Sequence, residues 1–205
     1  KGLIMTYPQF FNKIPTIKFQ DDLACLLGAF EDGIIEYSYL DVVKSAGHSC
    51  PTVLGAYLMT LQGLKALHEN EIPKRGNILV EFRENQTTGV AGVIASVITN
   101  ITGSTTTNGF KGLAGKYDRN HLMSFEKDIN GASVRFTRRD TQKNVDVFYN
   151  ANSILPHANM NSLMQKCIQG SATNEEKVEF GKHWQKRVED ISNSIEEVIK
   201  VNIKE

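Results

Sequence analysis

Between positions 51 and 67 the residues Val53, Leu54, Tyr57, Leu58, Leu61, Leu64 and Leu67 recur three or four apart, the period of an α-helical face. The spacing predicts one long amphipathic helix, the clearest element in the chain. Pro51 suits its first turn, where a missing N–H costs nothing, and Ser49 or Cys50 falls at the N-cap. Gly55, Ala56, Gly63 and Ala66 predict close packing on one side.

Around this helix the pattern is mixed. Asp21 and Asp22 offer N-caps for a helix carrying Leu23, Leu26, Leu27 and Phe30, ended by Gly33. Tyr39 to Ala46 reads as a short helix closed by Gly47, in the position where helices end on a left-handed residue. Ile78, Val80 and Phe82 alternate with polar neighbours as a strand does. Gly89 to Thr102 is open between strand and helix. Thr102 to Gly115 is a Thr- and Gly-rich loop, long enough to suggest a binding element. Three antiparallel strands are expected at 122–126, 132–138 and 144–149, with Asn130-Gly131 in one turn. Two helices follow: one carries Leu163, Met164, Cys167 and Ile168 up to Gly170. The other starts at Thr173 or Asn174 and carries Val178, Phe180, Trp184, Val188 and Ile191. The fold class is α+β: a mostly antiparallel sheet packed against a long helix, with additional C-terminal helices. Residues 1–155 form the expected metal-binding domain, and 156–205 a helical extension docked on it or on a partner.

Composition narrows the partners. Lys plus Arg equals Asp plus Glu, 23 each, so the electrostatic footprint of a nucleic-acid binder is missing. The longest apolar runs fall far short of the ~20 residues of a membrane span. Lys1 to Phe11 reads as mature sequence, with Met5 as the natural start and Lys1 to Ile4 as an extension or expression remnant. Cys25, Cys50 and Cys167 are an odd set, which predicts a reducing, cytoplasmic setting rather than a disulfide framework. Cys25 and Cys167 sit in apolar runs and read as small buried hydrophobes.

The chemistry concentrates in Gly47-His48-Ser49-Cys50-Pro51. His48 and Cys50 leave one turn at a helix N-terminus, where free N–H groups and the positive end of the helix dipole stabilise negative charge. A thiolate and an imidazole from one turn form half a site for zinc or another transition metal. His121, which follows the Gly-rich loop and begins a strand, is the candidate third ligand. Asp22, Glu31, Glu36 and Asp41 are carboxylates that could complete the site or orient His48. His68 reads as a solvated cap, and His157 and His183 as surface residues. Two other readings stand beside the metal site: a thiol enzyme with Cys50 as nucleophile and His48 as base, and a non-catalytic interaction module using the C-terminal helices.

The Gly47-His48-Ser49-Cys50-Pro51 turn, followed by Leu54-Gly55 and a Leu-rich helix, resembles the corresponding segment of the FmdE family, the E-type chains of formylmethanofuran dehydrogenase. Thr102-Gly103-Ser104-Thr105 and Asn108-Gly109 resemble that family's loop, and the likeness covers roughly Tyr39 to Tyr149. The resemblance implies an α+β metal-binding protein with zinc as the common ion, a homodimer, and either an accessory subunit or a small metalloenzyme. It also implies that the Thr-rich loop lines a pocket that could take a small-molecule ligand. Three positions depart from the pattern: Ala46 in place of a His, Ser104 in place of a Cys and Thr52 in place of a Gly.

Overall fold

A computed structural model describes residues 5–204; Lys1 to Ile4, expected to precede the natural start, and Glu205 lie outside the described residues. The central element is helix α3, Pro51–His68, and twelve of its eighteen residues are buried. That is more than one face, so α3 is covered on nearly all sides rather than amphipathic. On one side lies a five-stranded sheet; on the others lie α2 (Tyr39–Ala46), α4 (Ala91–Thr102) and α6 (Asn174–Asn193). The ambiguous stretch before Thr102 is therefore a helix. Its β-branched residues Val97, Ile98 and Ile101 are buried in the core.

The sheet comprises β3 (Ile78–Phe82), β4 (Met123–Ser124), β5 (Val134–Arg138), β6 (Asn144–Tyr149) and β7 (Ile199–Lys204), in the order β4-β3-β5-β6-β7. β3, β5, β6 and β7 pair antiparallel, as the fold class requires. β4 departs from expectation: it is only two residues long and pairs parallel to β3. A separate hairpin joins β1 (Ile17–Gln20) to β2 (Ile34–Tyr37). It is tied to α3 by the Tyr57 hydroxyl, which donates to Pro15 O at 2.7 Å and Tyr37 O at 3.0 Å.

Two glycines set the distance between α3 and the sheet. A Cβ on Gly55 would lie 2.4 Å from the Tyr149 ring, and one on Gly63 2.7 Å from Phe136. Eight residues apart, they share one helix face, so the small-residue side faces β5 and β6.

The segment after residue 155 does not form a separate helical layer. Val188, Ile191, Val198 and Ile199 belong to the same core as α3, and the chain closes by adding β7 to the sheet edge. Thr173 caps α6 through a reciprocal bond with Glu176, as its sequence predicts. Of the two docking alternatives for the apolar stripe of α6, the one within the chain accounts for Val188 and Ile191.

Three local expectations fail. Helix α1 spans only Asp22–Leu26, and Leu26, Leu27 and Phe30 are exposed because no second element lies over this turn-rich segment. Cys25 is exposed for the same reason, and Cys167 is half-buried. His68 is not a solvated cap: it is 6% exposed, and its Nε2 has no hydrogen-bond partner.

Burial, reinforced by the Arg138 guanidinium, pulls His68 from its ordinary 6.5 down to about 4. The folded value lies below the unfolded one, so its contribution to stability is complete above pH 6.5 and is lost as pH falls through about 4. The fold is therefore expected to lose stability across that window, by up to roughly 1.4 kcal/mol per pH unit from this one group. His68→Leu should flatten the slope in urea melts between these pH values; an unchanged slope would refute the assignment.

Candidate metal centre

The turn between α2 and α3 is held from both ends. α2 ends on Gly47 at φ 77°, whose N–H donates to Val43 O at 2.8 Å. This left-handed residue suits glycine, and it reverses the chain so that the next three residues lead into α3. Cys50 is the N-cap of α3, with extended backbone, and its Sγ accepts the Val53 N–H at 3.4 Å. Pro51 occupies the first helical position, as the sequence predicts.

Four side chains pin the residues between. The Ser49 and Tyr39 hydroxyls lie 2.9 Å apart and are hydrogen-bonded. The Ser49 carbonyl accepts Trp184 Nε1 at 3.0 Å and Gln185 Nε2 at 3.1 Å, and Tyr149 donates to Pro51 O at 2.7 Å. Burial pushes the Tyr149 phenol up to about 12 and raises that of Tyr39 as well, so both remain protonated donors near neutrality. None of these four residues was among the sequence-derived candidates. Trp184 carried a signal only as part of an apolar stripe, and its indole N–H is the feature that hydropathy conceals.

His48 is exposed, and its Nδ1 lies 3.0 Å from Ala46 O. A carbonyl can only accept, so Nδ1 carries the hydrogen and Nε2 is left with its lone pair free in the neutral ring. No hydrogen bond joins His48 to Cys50 among the described residues.

His121, the expected third ligand, is exposed at φ 57°, with its N–H donating to Thr106 O at 2.6 Å. Among the described residues no three His, Cys, Asp or Glu converge to hold a metal ion, so one chain does not bring His121 to His48 and Cys50. The carboxylates have other partners: Asp41 closes the capping box of α2, Asp22 faces Lys74, and Glu36 accepts from Thr16.

The Thr-rich loop turns its first hydroxyls inward. Thr102 donates to Ile98 O, Ser104 to Ile78 O and Thr105 to Arg119 O, so these groups anchor the loop and are not available to a ligand. Thr106 and Asn108 share a small cavity with Gln86, Asn100 and Met123, which His48 and Cys50 do not line.

A family profile described as "FmdE, Molybdenum formylmethanofuran dehydrogenase operon" matches residues 46–200. The chain belongs to the FmdE family. The match runs past Tyr149, where the likeness read from sequence ends, and takes in α5 (Met160–Ile168), α6 and the start of β7. The FmdE unit thus includes the residues of α6 that hold the Ser49 carbonyl. No curated protein matches the chain. A solved structure of an FmdE-like protein of tungsten formylmethanofuran dehydrogenase, from Syntrophus aciditrophicus, is similar at 16% identity. The alignment covers 82% of this chain and 73% of that one, with a TM-score of 0.43. No helix among the described residues is long and apolar enough to cross a membrane.

Trp184→Phe keeps most of the apolar contact and deletes one of two donors to Ser49 O. It is expected to cost about 1–2 kcal/mol, read as a lower urea midpoint with an unchanged slope. An unaltered midpoint would show that α6 does not support the turn.

Proposed function

We propose that this FmdE-family chain is a metal-binding accessory subunit that works beside a formylmethanofuran dehydrogenase-type enzyme in the reducing cytoplasm. Zinc is the expected ion, and Nε2 of His48 and Sγ of Cys50 are its ligands. The observation that carries the reading is the Nδ1 bond of His48 to the Ala46 carbonyl. Metal-binding histidines orient themselves in this way, with one nitrogen donating to a fixed acceptor and the other facing the ion. The donor types fit zinc, and the Val53 N–H at Cys50 favours a thiolate ligand.

Two donors from one chain fall short of a complete coordination shell, so the remaining ligands come from a second copy in a homodimer. A bound ion there would supply Lewis-acid polarisation to a small ligand at an open position. The chain's own part is to hold the two donors rigid: Tyr39, Tyr149, Trp184 and Gln185 fix the turn that carries them. A thiol enzyme is the weaker reading, because its nucleophile and base would need a mutual hydrogen bond and His48 and Cys50 make none.

Elemental analysis of protein purified without added metal tests the site. Cys50→Ser and His48→Ala are expected to lose most of the metal, while Cys25→Ser and Cys167→Ser retain it. Equal content in all four variants would sink the assignment. Light scattering at micromolar concentration is expected to give twice the 22.9 kDa chain mass, and a monomer mass would remove the second copy as the source of the missing ligands.

A further inference from the structure

A cleft of about 470 Å³ opens on the opposite flank of β3 from β5, lined by residues that the metal site does not use. Four cationic side chains reach it from three stretches of sequence: Lys74 and Arg75 before β3, Arg119 before β4, and Arg139 after β5. They meet because β4 lies beside β3 and the segment leading into it passes under Gly76. Gly76 has φ +79°, and a Cβ there would lie 1.4 Å from the Arg119 guanidinium, so only glycine lets this arginine into the floor of the cleft.

The cations are incompletely balanced. Arg75 and Arg119 share one buried carboxylate, Asp21, at 3.2 and 2.8 Å. Asp21 Oδ1 also accepts the Leu23 and Ala24 N–H groups of α1. Arg75 finds its other partners in the carbonyls of Ile101 and Asn100 at the end of α4. Arg119 also donates to the Arg75 carbonyl; it is 6% exposed, and its Nε has no partner. Arg139 is exposed and makes only a 3.4 Å bond to Gly76 O, with no carboxylate within ion-pair distance among the described residues. Lys74 faces Asp22 at 3.7 Å across the solvated rim.

The other two acids of the lining are engaged elsewhere. Asp140 accepts both Nε and a terminal nitrogen of Arg138, and Asp118 accepts the backbone and side-chain N–H groups of Asn120. Asp21 and Asp22 therefore stand against four cations, an excess of two positive charges. A phosphate monoester carries about −1.5 to −2 near neutrality, and planar guanidinium forks suit its oxygens. The volume is that of a small-molecule pocket.

We propose that this cleft binds a small phosphate monoester, with Arg119 and Arg139 contacting the phosphoryl oxygens and Lys74 at the entrance. Calorimetric titration of the full chain at fixed ionic strength tests it, with glycerol 3-phosphate and inorganic phosphate as probes and malonate as the dicarboxylate comparison. Both phosphate probes are expected to bind, and malonate at least about tenfold more weakly. Arg139→Gln and Lys74→Gln replace solvated side chains and should leave the melting midpoint unchanged. Arg139→Gln is expected to weaken the phosphate probes about tenfold or more. Absence of binding by the unaltered chain, equal affinity for malonate, or full affinity in Arg139→Gln would each overturn the proposal.

Discussion

The close approach of α3 to the sheet, permitted by Gly55 and Gly63, is the contact on which the rest of the molecule depends. Any side chain at these positions would press on the rings of Tyr149 and Phe136 and force the helix away from the strands. With the helix seated, Val53, Leu54, Leu58 and Met59 close one continuous core with Phe136, Val145 and Val147. The same seating places the Tyr149 hydroxyl against the Pro51 carbonyl at the helix start. The packing that builds the core thus also fixes the height at which the His48–Cys50 turn emerges.

That turn is further set by residues remote in sequence. Trp184 and Gln185 reach Ser49 across more than 130 positions, and they do so because Val188 and Ile191 anchor the following turn of α6 in the core. Two neutral donors on one carbonyl satisfy a buried acceptor that would otherwise be costly. The C-terminal segment is consequently part of the site's support, in agreement with a family match that runs to residue 200.

What could be read from sequence divides along a physical line. Where local chemistry decides, the reading holds: Gly47 ends α2 in the left-handed region, Pro51 opens α3, and Thr173 caps α6. The alternation of Ile78, Val80 and Phe82 likewise marks β3, because one face of a strand is buried and the other is not. Where a distant partner decides, the reading fails or is silent. The closing strand β7 has no local turn signal, and its pairing with β6 follows from the docking of α6. His68 looks polar and terminal, yet it is buried. Leu26 and Leu27 look like core and are exposed because nothing lies over α1. The candidate ligands divide in the same way: the Nδ1 bond of His48 is local, to a carbonyl two residues back, whereas the placement of His121 depends on the long loop before it.

The last turn of α4 links the two regions of interest. Its orphan carbonyls at Asn100 and Ile101 take the Arg75 guanidinium, an arrangement favoured by the negative end of the helix dipole. From the same turn the Asn100 amide donates to Ser45 Oγ at 2.7 Å, in the final turn of α2, three residues before His48. One short helical end therefore fixes a cationic side chain of the cleft and the exit of the helix that leads into the metal-binding turn. Charge placed in the cleft acts first on Arg119 and Arg139, whose hydrogen-bonding capacity is incompletely used, because Arg75 is already held by Asp21 and two carbonyls. Such a division of labour leaves Arg75 as a strut that ties β1, α1 and α4 together, and leaves its neighbours free to answer a ligand.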